Sequence, residues 1–218
     1  MKVAIFGASG KTGVRLVEEG LRRDWEIVGA CRDLSADKLS DFIREPRFTL
    51  RTAPLISDEH FVTQTLKGCD AAVSIMLSVR NLMCTDLVRS LEAASQANGV
   101  KRFIFTAGEV TARPDPDERF TLRQKIMHSV IPPMLFFLPF SVRDMLDASV
   151  MIEHADWDWT IVRAPTLKNT PPTGYRFCDI SEVTGKHVLS REDYAACMLD
   201  SIQNREHLRK KLTVVTDA

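Results

Sequence analysis

The sequence predicts an α/β domain organised as a doubly wound parallel sheet. Strand-length apolar runs alternate with helix-length amphipathic segments along the chain. The first strand candidate is apolar almost throughout, as a strand covered on both faces must be. A glycine cluster also sits at the first strand–helix junction. At 218 residues the chain suffices for one domain with a large core. No linker or internal repeat divides it, so residues 1–218 are expected to form a single unit.

Lys2–Phe6, apolar after its lysine, is the first strand. Lys11–Arg23 places Val14, Val17 and Leu21 at spacings of three and four, one face of a helix. Glu26–Cys31 is a second strand and Phe48–Ala53 a weaker third. Asp58–Lys67 reads as a helix, with Gly68 suited to cap it. Ala71–Leu77 is the fourth strand, and Asn81–Asn98 a helix ending at Asn98-Gly99. Arg102–Thr106 and Trp159–Arg163 are the fifth and sixth strands, and Leu212–Val215 a short last one. Such alternation implies right-handed crossovers.

Two stretches depart from the alternation. Residues 109–147 open with Arg113-Pro114-Asp115-Pro116-Asp117 and then turn apolar and proline-rich. They read as one or two helices laid over the sheet edge or the site. Residues 164–189 hold Pro165, Pro171 and Pro172 with little periodicity, and read as a small irregular lobe at the carboxyl ends of the strands. Together these stretches are expected to cover the substrate side.

Composition narrows the partners. Hydrophobic residues are 44% and charged residues 27%, which argues against disorder or a fibre. Lys+Arg and Asp+Glu number 29 each, so no excess charge meets a phosphate backbone, and nucleic acid is not an expected partner. The apolar patch Val130–Phe140 contains three prolines and is too short to span a bilayer. The amino terminus runs directly into glycines, which reads as a buried strand rather than a signal peptide. Neither a membrane nor a leader is expected. The 5 cysteines are odd in number and lack CxxC spacing, so neither a disulfide framework nor a zinc site is indicated. The 5 histidines include no close pair, so no metal is expected. The expected setting is the cytoplasm, as a monomer or homodimer acting on a small molecule.

The strongest local signal is Gly7-Ala8-Ser9-Gly10-Lys11-Thr12-Gly13, directly after the first strand and at the start of the first helix. Gly7 permits the tight turn, Gly10 lets the backbone approach a pyrophosphate, and Gly13 lets the helix pack on the sheet. The helix start then offers N–H groups and the positive dipole end, with Ser9 and Thr12 as further hydroxyl donors. A nucleoside-triphosphate P-loop would need a glycine where Ile5 stands, so triphosphate chemistry is disfavoured. A plain tight turn is the alternative; the context favours a dinucleotide site of Rossmann type.

The second strand ends Ala30-Cys31-Arg32-Asp33, about 20 residues past the loop, where this fold meets the adenosine ribose. An acid there would bind the free 2′-hydroxyl of NAD. Arg32, with Lys38 assisting, instead matches a 2′-phosphate, so NADP is preferred over NAD. The plainer reading pairs Arg32 with Asp33.

On these residues the chain resembles the atypical short-chain dehydrogenase/reductases, and within them the NmrA-like, NAD(P)-binding group that includes flavin and biliverdin reductases. The resemblance runs over nearly the whole chain. It includes the opening KVAIFGASGKTG, the stretch Trp157–Pro165 (WDWTIVRAP) and Ser190-Arg191-Glu192-Asp193-Tyr194-Ala195. It implies cofactor contacts at Gly7, Ser9, Gly10, Lys11, Thr12, Gly13 and Arg32, with Pro54 and Leu55 beside the adenine. Leu77, Ser78 and Arg80 would follow the ribose and pyrophosphate. Thr106 and Ala107 would lie near the nicotinamide ribose, and Pro165 and Thr166 would border the nicotinamide.

The departures from that group carry information. Only Tyr175 and Tyr194 are present, and neither is followed by Lys four residues on, so the Tyr-Lys proton relay is missing. Alcohol dehydrogenation then lacks a general base. Hydride transfer to a flavin needs mainly stacking and orientation and suffers less. The expected activity is NADPH-dependent reduction of a planar acceptor such as a flavin or quinone, with Thr106, Ser78 and His128 orienting it. The alternative is a non-catalytic NADP(H) sensor of the NmrA-like kind, acting through a protein partner. Arg163 reads as a structural ion pair rather than a substrate clamp, Trp157 and Trp159 as packing residues sharing one face, and His128 also as a solvent-facing residue.

Overall fold

A computed structural model describes residues 1–77, 83–109, 111, 118–126, 142–184 and 186–217. The strands are β1 (Lys2–Phe6), β2 (Glu26–Arg32), β3 (Phe48–Ala53), β4 (Ala71–Ser74), β5 (Arg102–Gly108), β6 (Asp158–Ala164), β7 (Thr166–Lys168), β8 (Tyr175–Cys178), β9 (Val188–Ser190) and β10 (Lys210–Thr216). The α-helices are α1 (Lys11–Arg22), α2 (Glu59–Leu66), α3 (Met83–Asn98), α4 (Val142–His154) and α5 (Arg191–Gln203). A 3-10 segment, Asp33–Phe42, follows β2.

Eight strands form one sheet in the order β3-β2-β1-β4-β5-β6-β10-β8. All neighbours are parallel except β10 and β8. β1 lies between β2 and β4, so chain order reverses across it, and a crevice opens at the carboxyl ends of β1 and β4. The expected doubly wound sheet is therefore observed.

Strand periodicity divides the core into two layers. Val3 and Ile5 of β1 join Leu16 and Val17 of α1 and Leu199 of α5 on one face. Ala4 and Phe6 join Leu66 of α2, Leu91 of α3 and Ile152 of α4 on the other. Phe103 and Trp157 pack in this second layer with ring centroids 4.4 Å apart, and the Trp157 indole donates to Ser95 Oγ at 2.9 Å. Trp159 lies in the same layer, as its spacing from Trp157 predicts. Each such buried aromatic contributes about 1.5–3 kcal/mol.

α1 and α5 run side by side and parallel. Arg15 of α1 lies 3.7 Å from Glu192, and two turns later Arg23 lies 2.7 Å from Asp200. Both helices therefore start at the same edge of the sheet.

Several elements differ from the sequence expectation. β4 ends at Ser74 rather than Leu77, because its partner β1 ends opposite it at Phe6 and the chain there turns away at Gly7. The stretch expected to be irregular contains three short strands. β7 and β9 pair with each other, while β8 extends the main sheet by pairing antiparallel with β10. β10 spans Lys210–Thr216 because it is held on both sides, by β6 and β8. Residues 118–126 are tied to the rest by buried polar contacts. Glu118 pairs with the buried Arg163, and Gln124 Nε2 donates to the Ile180 carbonyl at 2.6 Å. Arg163 is thus the structural ion pair expected. Among the described residues, no helix is long and apolar enough to cross a membrane.

Candidate cofactor and substrate site

The glycine loop takes the shape its composition requires. Gly7 sits at φ +89°, a left-handed conformation, and a Cβ there would meet Ile75 Cγ2 and Met76 Sδ at 3.1 Å. Gly13 is tighter still: a Cβ would lie 2.2 Å from the Gly7 carbonyl oxygen and 2.6 Å from that of Ala8. The turn is closed by the Gly10 N–H donating to Gly7 O at 2.9 Å, and anchored by the Gly7 and Ala8 N–H groups donating to Ala30 O.

Helix starts differ in how their N–H groups are satisfied. Asp58 caps α2, accepting from Phe61 N at 2.8 Å. Asp144 caps α3 from a distance in sequence, accepting from Cys84 N at 2.9 Å and Thr85 N at 3.1 Å. Ser190 caps α5 by accepting from Asp193 N at 2.9 Å. α1 has no side-chain cap and no acid in its first turn. Its donors and positive dipole end face the crevice, which suits an anionic diphosphate.

The crevice has two arms. One arm, of about 650 Å³, is lined by Gly7, Ser9, Arg32, Ser35, Lys38 and Ile56, among others. Arg32 and Lys38 bring two cations to this arm, and neither has an ion-pair partner among the described residues. The Ser9 hydroxyl donates to Ser35 Oγ at 2.9 Å, and Ser35 donates to the Arg32 carbonyl at 3.0 Å. Ser9 therefore braces the turn after β2 and presents lone pairs rather than its proton. Burial pushes the Cys31 thiol in this arm above its ordinary value.

The other arm, of about 940 Å³, runs from Gly10–Gly13 past Leu77, Thr106 and Ala107 to Pro165, Leu167 and Arg191. Its floor holds a short relay. The Tyr194 hydroxyl donates to the Val162 carbonyl at 2.8 Å, and Thr106 Oγ1 lies 2.8 Å from the same hydroxyl. A phenol has one proton, so Thr106 donates to Tyr194 and keeps its lone pairs for the cleft. Tyr194 is fully buried, and burial pushes its hydroxyl well above the usual phenol range. Beyond Thr106 and Ala107, which line both spaces, lies a small, largely apolar cavity bounded by Met76, Cys84, Phe105 and Met145.

The structure brings Gly7, Ser9, Gly10, Lys11, Thr12, Gly13, Arg32, Leu77, Thr106, Ala107 and Pro165 together around this crevice. Leu55 lies 55% exposed outside the first arm, whose wall is formed by its neighbour Ile56. Thr166 is exposed, and Leu167 takes the place beside Pro165. Strand alternation explains that exchange, since adjacent residues of β7 face opposite sides. Ser78, Arg80 and His128 lie outside the described residues. Ser35, Leu167 and Arg191 carried no site signal of their own in the sequence. Arg191 stood within a motif, but only the pairing of β7 with β9 brings it to the cleft.

Comparisons with known proteins agree with this geometry. The profile of a family described as NAD(P)H-binding matches residues 7–205. An uncharacterized chloroplastic protein of Arabidopsis thaliana is 24% identical over 232 residues, covering 100% of this chain and 77% of the relative. A short-chain dehydrogenase/reductase from Veillonella parvula, solved in complex with NADP, superposes with a TM-score of 0.76 at 17% identity, covering 100% of this chain and 95% of that one. The anaerobilin reductase ChuY from Escherichia coli O157:H7 superposes with a TM-score of 0.75 at 15% identity, covering 100% and 98%. A crevice at the sheet reversal, a glycine turn with no room for a Cβ and a profile match over nearly the whole length lead to one assignment: the chain belongs to the NAD(P)H-binding family.

Proposed function

We propose that this chain is an NADPH-dependent oxidoreductase that reduces a planar acceptor such as a flavin or quinone. The observation that carries the reading is the contrast among helix starts, with α1 alone of α1, α2, α3 and α5 lacking a side-chain cap at the mouth of the crevice. The Gly10–Gly13 backbone and Lys11 would hold the diphosphate, and Arg32 with Lys38 the ribose 2′-phosphate. Thr106 and Ala107 would lie beside the nicotinamide ribose, with Pro165 and Leu167 against the ring. When bound, the reduced nicotinamide supplies a hydride. The chain's own part is to stack the two planar systems, to keep water from the apolar cavity and to orient the acceptor through the Thr106 oxygen. The proton that completes reduction comes from solvent, because Tyr194 is buried and committed to Val162. Five free thiols accord with a reducing compartment, and we place the protein in the cytoplasm.

That same burial favours a second reading, a non-catalytic NADP(H) sensor. Steady NADPH oxidation with flavin mononucleotide or a naphthoquinone, followed at the nicotinamide absorbance, supports the enzyme. Tight NADPH binding without turnover on any acceptor supports the sensor. No binding of either pyridine nucleotide by calorimetry removes both.

A further inference from the structure

We propose that Arg191 forms an anion site at the acceptor end of the cleft, and that the acceptor carries a carboxylate or phosphate side group. The proposal rests on the oxidoreductase reading above and names its substrate class.

Arg191 is the first residue of α5 and lines the wide arm together with Lys11, Pro165 and Leu167. Its Nη1 donates to Asn169 Oδ1 at 2.9 Å, a neutral partner that orients the guanidinium without cancelling its charge. The β7–β9 register sets Lys168 opposite Ser190, but strand alternation turns its side chain away from Leu167 and the arm, so Arg191 is the cation at this end of the cleft. Lys168 is exposed. The carboxylates that follow Arg191 in sequence are engaged elsewhere. Glu192 lies 3.7 Å from Arg15. Asp193 accepts from the N–H groups of Thr173 and Gly174 and from the Ser190 hydroxyl.

A charge inventory then decides the role. The diphosphate has the uncapped first turn of α1 and Lys11, and the 2′-phosphate has Arg32 and Lys38 at the opposite arm. Arg191 is left over as a cation in a partly desolvated cleft, with no carboxylate paired to it among the described residues. A planar guanidinium binds a carboxylate or phosphate through two parallel hydrogen bonds, which gives orientation as well as attraction. An acceptor with its ring over the nicotinamide and an anionic arm on Arg191 would be held at both ends.

The test uses acceptor pairs that share a ring and differ in charge. The full chain loaded with NADP+ is titrated with flavin mononucleotide and with riboflavin, followed by flavin fluorescence. A naphthoquinone with and without a propionate arm, followed by calorimetry, separates phosphate from carboxylate. The anionic member of at least one pair is expected to bind at least about ten-fold more tightly, and about ten-fold more salt is expected to narrow that ratio. Arg191→Gln is expected to bring the ratio to about one with NADP+ affinity unchanged, and Arg191→Lys to retain part of it. Ratios near one for both pairs in the wild-type chain overturn the proposal. So does an Arg191→Gln variant that loses NADP+ affinity, which assigns the guanidinium to the cofactor. Failure of the oxidoreductase reading shows separately, as absence of NADPH oxidation while the binding ratio persists.

Discussion

Thr106 and Tyr194 share a hydrogen bond of 2.8 Å across 88 residues of sequence, joining the end of β5 to the first turn of α5. Because Tyr194 donates onward to the Val162 carbonyl, the bond also fixes which way the Thr106 proton points. The only tyrosine at the cleft floor is thereby a structural strut beneath the site, among the described residues.

Tyr194→Phe tests that assignment. It leaves the buried Val162 carbonyl and the Thr106 hydroxyl without their partner, and is expected to cost about 1–3 kcal/mol in urea unfolding. NADPH oxidation should fall only a few-fold. A loss of about 10²–10⁴ in kcat would instead mark Tyr194 as the proton donor.

Gly13→Ala is expected to damage folding and cofactor binding together. The added methyl would sit 2.2 Å from the Gly7 carbonyl oxygen and 2.7 Å from the Ala8 carbonyl carbon. Both neighbours are backbone, so relief requires moving the turn, at about 1–3 kcal/mol. Thermal unfolding and NADP+ calorimetry check this. An unchanged affinity would show that the turn is not the diphosphate seat.

Arg32→Glu should shift preference from NADP toward NAD. Loss of a charge-assisted contact of about 1.5–3 kcal/mol corresponds to roughly ten-fold to a hundred-fold weaker NADP binding. The new carboxylate can accept from a free ribose hydroxyl and repels a phosphate. Paired calorimetric titrations give the ratio, and equal losses for both nucleotides would place the 2′-phosphate elsewhere.

The pair of Glu118 with Arg163 ties residues 118–126 to β6, and the Arg163 side chain is only 2% exposed. Glu118→Ala leaves that cation buried without its carboxylate and is expected to cost about 3–5 kcal/mol. Replacing both, as Glu118→Leu with Arg163→Met, should cost far less than the sum of the single changes. A double-mutant cycle in denaturant measures the difference; additive costs would deny the pairing.

Much of the molecule was legible in the order of its residues. The apolar runs of β1, β2, β4 and β5 announce strands buried on both faces, and the glycines of residues 7–13 announce a tight strand–helix turn, because these effects are local. Backbone conformation, periodicity and close approach act over a few residues. What tertiary structure alone decided involves partners far apart in the chain. β4 stops at Ser74 because β1 stops beside it, and residues 175–178 become a strand because β10 offers an open edge. The Tyr194 hydroxyl is tied to a carbonyl 32 residues away, and Arg191 reaches the cleft through the pairing of two three-residue strands. Composition and periodicity cannot encode such placements, since burial and charge pairing are properties of neighbours in space rather than along the chain.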